Sequence, residues 1–326
     1  MAEYINIKGT NRQVLSSDPS NPTLGQIWYN TTSNSLKGDV FNAAAWSTGG
    51  NLGTARADGA GFGLQTAAIV AGGNGPPELT NSESYNGTSW TATPSIPVAL
   101  RSLNCAGAGT QSAGFFVGGF NPGGAVSTTQ EWSGSSWAAG GGFPVTSYSI
   151  GSMGTQTAGL SATGEKQTAP AKSAISAEYD GSSWTAGNSV NTGRYGVGSA
   201  GTQTAGLIFG GSVPATPELG TTEEYNGTSW TTTAVTNVPA AYSGGAGLQT
   251  AGLKFGGEAT PNQANAEIYN GSSWSNVANM PANKVSAMPA GTTSAGLASG
   301  GYSPGSVNTV FEWNEAAAAT VTIDPV

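Results

Sequence analysis

Along the chain, short apolar runs alternate with Gly-, Ser- and Thr-rich stretches, and no segment carries a convincing helical period of apolar positions. One run, Gly63-Leu-Gln-Thr-Ala-Ala-Ile-Val-Ala-Gly-Gly73, opens polar, turns apolar and stops on two glycines. It returns at 109–119, 201–211, 247–257 and 291–301, with a weaker copy at 154–164 that has lost the first glycine of the pair. Between these runs lies a second block: an aromatic, a short polar turn and a tryptophan. Its copies are Tyr85-Asn-Gly-Thr-Ser-Trp90, Trp132-Ser-Gly-Ser-Ser-Trp137, Tyr179-Asp-Gly-Ser-Ser-Trp184, Tyr225-Asn-Gly-Thr-Ser-Trp230 and Tyr269-Asn-Gly-Ser-Ser-Trp274. A degenerate copy, Phe41-Asn-Ala-Ala-Ala-Trp46, precedes them and a half-copy begins at Trp313. First aromatics are spaced 44, 47, 47, 46, 44 and 44 residues apart, a period of about 45.

Each repeat reads as four short strands. Asn-Gly and Asp-Gly tolerate the positive φ of a tight hairpin. A two-residue turn at Asn86-Gly87 sets Tyr85 opposite Thr88, and a four-residue loop sets Tyr85 opposite Trp90. Either register puts Tyr85 and Trp90 on one face. The other two strands are the small-residue stretch leading into Gly-x-Gln-Thr-Ala and the apolar run ending at Gly-Gly. Gly- and Ala-rich inner strands suit a crowded axis, where bulky side chains would collide. Four strands per repeat of about 45 residues predict an all-β protein, a β-propeller. Six Gly-Gly blocks predict six blades, with seven the less favoured variant. Two closures fit: the copy ending at Trp46 completes the last blade, or the segment 319–323 does so and leaves 25–46 as a separate β element.

Composition sharpens this picture. Glycine, at 51 of 326 residues, is about twice as frequent as in ordinary globular chains, and charged residues make up only 9 %. The surface is therefore coated by Ser, Thr, Asn, Gln and Gly. Histidine is absent, which excludes a Ser-His-Asp triad, a Cys-His dyad and a His-bearing zinc site. The single Cys105 excludes internal disulfides and is expected to be a small buried apolar residue. A net charge of −8 argues against nucleic acid or an anionic membrane surface as partner. No apolar run is long enough to span a bilayer, and Met1-Ala-Glu-Tyr-Ile-Asn6 lacks the basic and apolar regions of a signal peptide, so a soluble protein is expected.

The candidate chemistry is sparse. Glu131, Glu178, Glu224 and Glu312 precede the repeated aromatic and could form a carboxylate ring for a cation. Repetition favours instead a structural role, with each satisfying backbone donors or a cation of a neighbouring blade. Glu223-Glu224 reads as an exposed strand end rather than an acid/base pair, because neighbours on a strand face opposite ways. The recurrent Trp with its Tyr or Trp partner reads as packing between blades rather than as a sugar platform. Sequons at Asn30, Asn86, Asn226 and Asn270 are explained by their turns. A ligand surface should lie where the repeat is irregular: 74–81, 121–129, 212–222 and 165–176, the last with Lys166 and Lys172. All follow the Gly-rich strand and so share one edge of the ring.

The order Gly118-Gly119, Glu131-Trp132, Trp137, and Tyr85, Trp90, Pro97, Arg101, resembles kelch-type repeats over residues 39–326. Arg56, Arg101 and Arg194 take similar places in that pattern, and Tyr148, Tyr242 and Lys284 depart from it. Gly25-Gln-Ile-Trp-Tyr-Asn-Thr-Thr-Ser-Asn-Ser-Leu-Lys-Gly38 resembles a short hairpin motif of tailed-bacteriophage fibre and virion proteins, marine and cyanobacterial phages in particular.

The resemblance implies a segment at 1–38 that attaches to other virion proteins and a propeller at 39–326. It implies a non-enzymatic virion subunit of tail or fibre, present in many copies, that recognises a host cell-surface glycan or protein. It would be made in the host cytoplasm. No catalytic residue, cofactor or metal is expected, and neither nucleic acid nor membrane insertion. The alternatives are a capsid or tail decoration protein, or a cellular kelch-like scaffold or glycan-binding module.

Overall fold

The computed structural model describes residues 13–20, 25–75, 77–103, 105–167, 172–214 and 218–323, and among them every regular element is a strand. The chain divides into a larger compact unit, 45–314, and a smaller one formed by 1–44 with 315–326. The division falls after residue 38, because the strand Ser35–Asn42 continues past it and pairs along its length with the C-terminal strand Ala317–Ile323. In the smaller unit, Gln13–Leu15 also pairs in parallel with Ile27–Asn30, which forms a hairpin with Ser35–Asn42. Asp18 holds that hairpin by accepting from the Trp28 indole at 2.9 Å and the Asn30 amide at 2.7 Å.

In the larger unit the repeats build sheets of four antiparallel strands, to which Cys105–Ala106 adds a fifth, parallel strand at the inner edge of the first. Repeat 1 runs Ala60–Leu64, Ala67–Ala71, Ser82–Tyr85, Trp90–Thr93 from inner to outer edge. The inner strands of repeats 2 to 6 are Ala108–Thr110, Gly151–Thr155, Gly198–Gly201, Gly244–Leu248 and Met288–Gly291. Each neighbours the next, and the sixth neighbours the first, so the cycle closes. Four-stranded sheets around an axis make the fold all-β and β-propeller-like. The inner strands enclose a cavity of about 110 Å³ lined mainly by Gly, Ala and Ser, so small residues do face the axis. A Cβ on Gly245 would come within 2.4 Å of the Ser199 carbonyl oxygen, an approach only glycine permits.

Of the two closures, the first is present: Ala45–Thr48 is the outer strand of the last sheet, with Trp46 opposite Trp313. The Phe41 side chain, like that of Cys105, lies outside the described residues. Tyr85 pairs with Trp90 across a four-residue loop whose Asn86 side chain accepts from the Thr88 and Ser89 amides at 3.0 and 2.8 Å. The rings stack at 4.7 Å. Clusters of buried side chains cross from repeat to repeat, as where Phe62 and Ile69 of repeat 1 pack with Phe116, Trp132 and Trp137 of repeat 2.

Polar side chains also tie the repeats together. The Gln of Gly-x-Gln-Thr-Ala donates into the preceding repeat: Gln111 to the Tyr85 carbonyl at 2.6 Å, Gln203 to that of Tyr179 at 2.8 Å, Gln249 to that of Tyr225 at 2.6 Å. Gln65 reaches Trp313 across the closure at 2.6 Å. The outer-strand tryptophans likewise donate backwards, Trp230 to Ser176 and Trp274 to Thr222. These tryptophans are therefore interface residues of the ring.

Candidate functional site

The segment entering each inner strand adopts a left-handed residue at one position: Asp58, Ser102, Ser149, Gly196, Tyr242 and Ser286, all with φ between 54° and 66°. Non-glycine residues seldom hold this conformation, and it persists only where the surroundings impose it. Here a circle of backbone hydrogen bonds does so. The amides of Ser149, Gly196, Tyr242, Ser286 and Asp58 each donate to the carbonyl at the preceding position, those of Ser102, Ser149, Gly196, Tyr242 and Ser286. The circle is completed by the Leu103 amide donating to Asp58 at 3.0 Å. The side chains of this collar line a cavity of about 300 Å³ at one end of the axis, with Tyr148, Glu258, Asn262, Val285 and Tyr302 around them. Gly196 has no side chain to contribute, and the Tyr242 ring takes the space beside it. A Cβ there would stand 3.1 Å from the ring.

The residue after each Gly-Gly pair, and after Thr163-Gly164 in repeat 3, forms a bridge to the residue before the collar, as in Tyr148 with Glu165, Ala241 with Glu258 and Val285 with Tyr302. The irregular loops start there, so they do rise from the same edge as this mouth. Their positions 76, 168–171 and 215–217 lie outside the described residues.

The mouth is aromatic and acidic. Burial raises the Asp58 carboxyl above the usual range, against the lowering effects of a hydrogen bond with Ser286 and the charge of Arg101. Burial pushes the Tyr148 phenol up to about 12, with Glu165 adding to the effect, and raises that of Tyr242 further. Arg101 is occupied by Glu78 at 2.9 Å and lies over the Phe120 ring at 4.7 Å. Tyr302 stands at the rim, 48 % exposed. A larger groove of about 590 Å³ opens at the opposite edge between repeats 1 and 2, but it carries no charged side chain.

Several expectations are corrected. Arg56, Arg194 and Lys284 share one position, two residues before the collar, whereas Arg101 stands one residue before it. Tyr148 and Tyr242 are therefore mouth residues, not failed arginines. Arg56 and Arg194 are buried and paired with Glu83 and Glu223 inside their own repeats. Glu223 is thus fully buried rather than part of an exposed strand end, and Glu224 accepts from the Tyr269 hydroxyl at 2.7 Å. Glu131, Glu178 and Glu312 behave like Glu224: each meets a tyrosine hydroxyl of the next repeat, Tyr179, Tyr225 and Tyr85, rather than a cation or backbone donor. Among the described residues, no three His, Cys, Asp or Glu side chains are placed to hold a metal.

Sequence reasoning missed the collar. Its signal is a fixed spacing, seven residues ahead of the repeated Gln in 58/65, 149/156, 196/203 and 242/249, and ahead of Thr293 in repeat 6. Repeat 2 hides it, because Ser102 stands nine residues ahead of Gln111.

Fold and site together define a β-propeller-like protein with an open, tyrosine-lined axial mouth. No protein-family profile and no curated protein matches the chain. A solved structure described as that of YjhT is similar at 12 % sequence identity, covering 82 % of this chain and 99 % of that one with a TM-score of 0.66. At that identity the likeness concerns the fold alone.

Proposed function

We propose that this chain is a six-bladed kelch-type β-propeller that binds carbohydrate at its axial mouth without catalysing a reaction. The observation that carries the binding is the collar. A closed hydrogen-bond circle holds Ser102, Ser149, Tyr242 and Ser286 towards a cavity at the small end of ligand-site sizes. Tyrosine rings offer faces for sugar rings, and serine, asparagine and carboxylate groups offer partners for hydroxyls. The kelch assignment is supported by the Gly-Gly, Glu-aromatic and Trp signals falling on second, third and outer strands. The non-enzymatic part is supported by the lack of histidine in the chain.

The setting we propose is the surface of a tailed-phage particle, in tail or fibre, with the smaller unit as attachment and many copies supplying avidity to shallow contacts. It rests on the hairpin Ile27–Asn30 and Ser35–Asn42 carrying the virion-like motif. The test is a glycan array with the purified full chain, beside Tyr148→Ala, Tyr302→Ala and an outer-strand control, Val235→Ser. Binding lost in the two mouth variants alone supports the reading, and binding equal in all four proteins overturns it. Immunogold labelling of source particles tests the setting: label at tail or fibre tips supports it, and absence from particles removes it.

A further inference from the structure

We propose that the axial mouth selects a cationic sugar, one carrying a free protonated amine; this rests on the carbohydrate reading above. The cavity is lined by two carboxylates, Asp58 and Glu258, three tyrosines and no lysine or arginine. Glu258 is exposed and makes no ion pair among the described residues. The guanidinium of Arg101 is held by Glu78 and lies over Phe120, and its charge is the smallest of the effects on the Asp58 carboxyl. Asp58 is the one carboxylate of the collar. Its partners are a serine hydroxyl and, more weakly, the Arg101 charge, and burial works against ionisation.

An ammonium group entering the mouth would supply the missing counter-charge in a setting less screened than open water. It would also meet the electron-rich faces of Tyr148, Tyr242 and Tyr302. An N-acetylated sugar presents an amide instead and leaves both carboxylates without a cation. A neutral hexose meets the tyrosines and hydroxyls but gains nothing from Asp58 or Glu258. An anionic sugar is repelled by both. A basic peptide would satisfy the charge, but the serine collar and Asn262 offer hydroxyl partners that a lysine side chain has no groups to use.

The test is saturation-transfer NMR and calorimetry on the full chain with glucosamine, glucose and N-acetylglucosamine, at a pH where the amine is protonated. Glucosamine is expected to bind about ten-fold more tightly than either neutral sugar, the gain of one charge-assisted hydrogen bond. Added salt should shrink that preference. Asp58→Asn should reduce it to about two-fold or less. Glu258→Gln, at an exposed position that cannot upset folding, should narrow it part-way. Tyr302→Ala should weaken all three sugars, glucosamine the most. If the three sugars bind the native chain equally, the cationic selection is overturned and the carbohydrate reading stands. If none binds, the carbohydrate reading falls and takes this inference with it. If N-acetyl-lysine methylamide displaces glucosamine, the mouth is a basic-peptide site and the amino-sugar assignment is overturned.

Discussion

The Tyr85 hydroxyl donates to Glu312 at 2.5 Å across 227 residues of sequence, and this contact helps to close the ring. The same relationship recurs wherever a repeat with glutamate before its aromatic is followed by a repeat with tyrosine. Repeats 1 and 5 carry Ser84 and Ile268 at the glutamate position, and the repeats after them carry Trp132 and Trp313. Those indoles donate instead within their own repeats, to the carbonyls of Gln111 at 2.8 Å and Thr293 at 2.9 Å. The glutamate is thus present only where a phenol needs an acceptor.

Breaking the closing contact should be measurable. Tyr85→Phe is expected to cost about 1–3 kcal/mol in urea unfolding, since it leaves a carboxylate oxygen short of its donor. A double-mutant cycle with Glu312→Gln should show coupling of at least about 0.5 kcal/mol. A coupling near zero would mean the contact does not hold the ring.

The phenols of Tyr85, Tyr179, Tyr225 and Tyr269 are all pushed up to about 12, by burial first and with the facing glutamate adding to it. Their folded values exceed the unfolded value of 10.0, so the folded state holds the protons longer. Stability from these groups is complete below pH 10 and lost as pH rises through about 12. Alkaline unfolding followed by circular dichroism and phenolate absorbance together should show both changes in that window. Ionisation preceding unfolding by a pH unit or more would contradict it.

Lys284 is buried and has no carboxylate partner among the described residues, because Phe311 occupies the place that Glu83 and Glu223 take opposite Arg56 and Arg194. It donates to the Thr309 carbonyl at 2.8 Å, and burial lowers its amine to about 7 from 10.5. Here the folded state binds fewer protons than the unfolded one between those values. Stability should therefore rise with pH from about 7 towards 10.5. Denaturant midpoints of Lys284→Met should lack that rise while the native chain shows it.

Thr163 takes φ 70° where the other repeats have the first glycine of the Gly-Gly pair, for example Gly118 at 71° and Gly210 at 65°. A β-branched residue is strained there. Thr163→Gly should raise the unfolding free energy by up to about 1 kcal/mol, with a higher melting temperature as readout. Its counterpart Gly118→Thr should lower it by more, since a Cβ there would stand 2.3 Å from the Ser147 carbonyl oxygen.

Gly196→Ala probes the collar. The added methyl meets the Tyr242 ring at 3.1 Å at a φ of 66°, so a loss of about 1–2 kcal/mol is expected in thermal unfolding. Ring-current shifts of Tyr242 in the NMR spectrum should report the displaced ring. Unchanged stability and shifts would mean the collar is not rigid.

What the sequence determined alone was local or periodic. The repeat of about 45 residues, the strands ending on Gly-Gly, the Tyr-to-Trp hairpin and the small-residue inner strand follow from alternation, turn chemistry and spacing within a few residues. Only the tertiary structure decided the relations between repeats. The partner of each glutamate, the strand that completes the last sheet and the reach of each glutamine depend on which residues meet across tens to hundreds of positions. The mouth was hidden for the same reason. Its residues differ chemically from repeat to repeat, and the two-residue insertion before Gln111 breaks their register. Their common feature is a backbone angle imposed by a hydrogen-bond circle that exists only once the ring has closed.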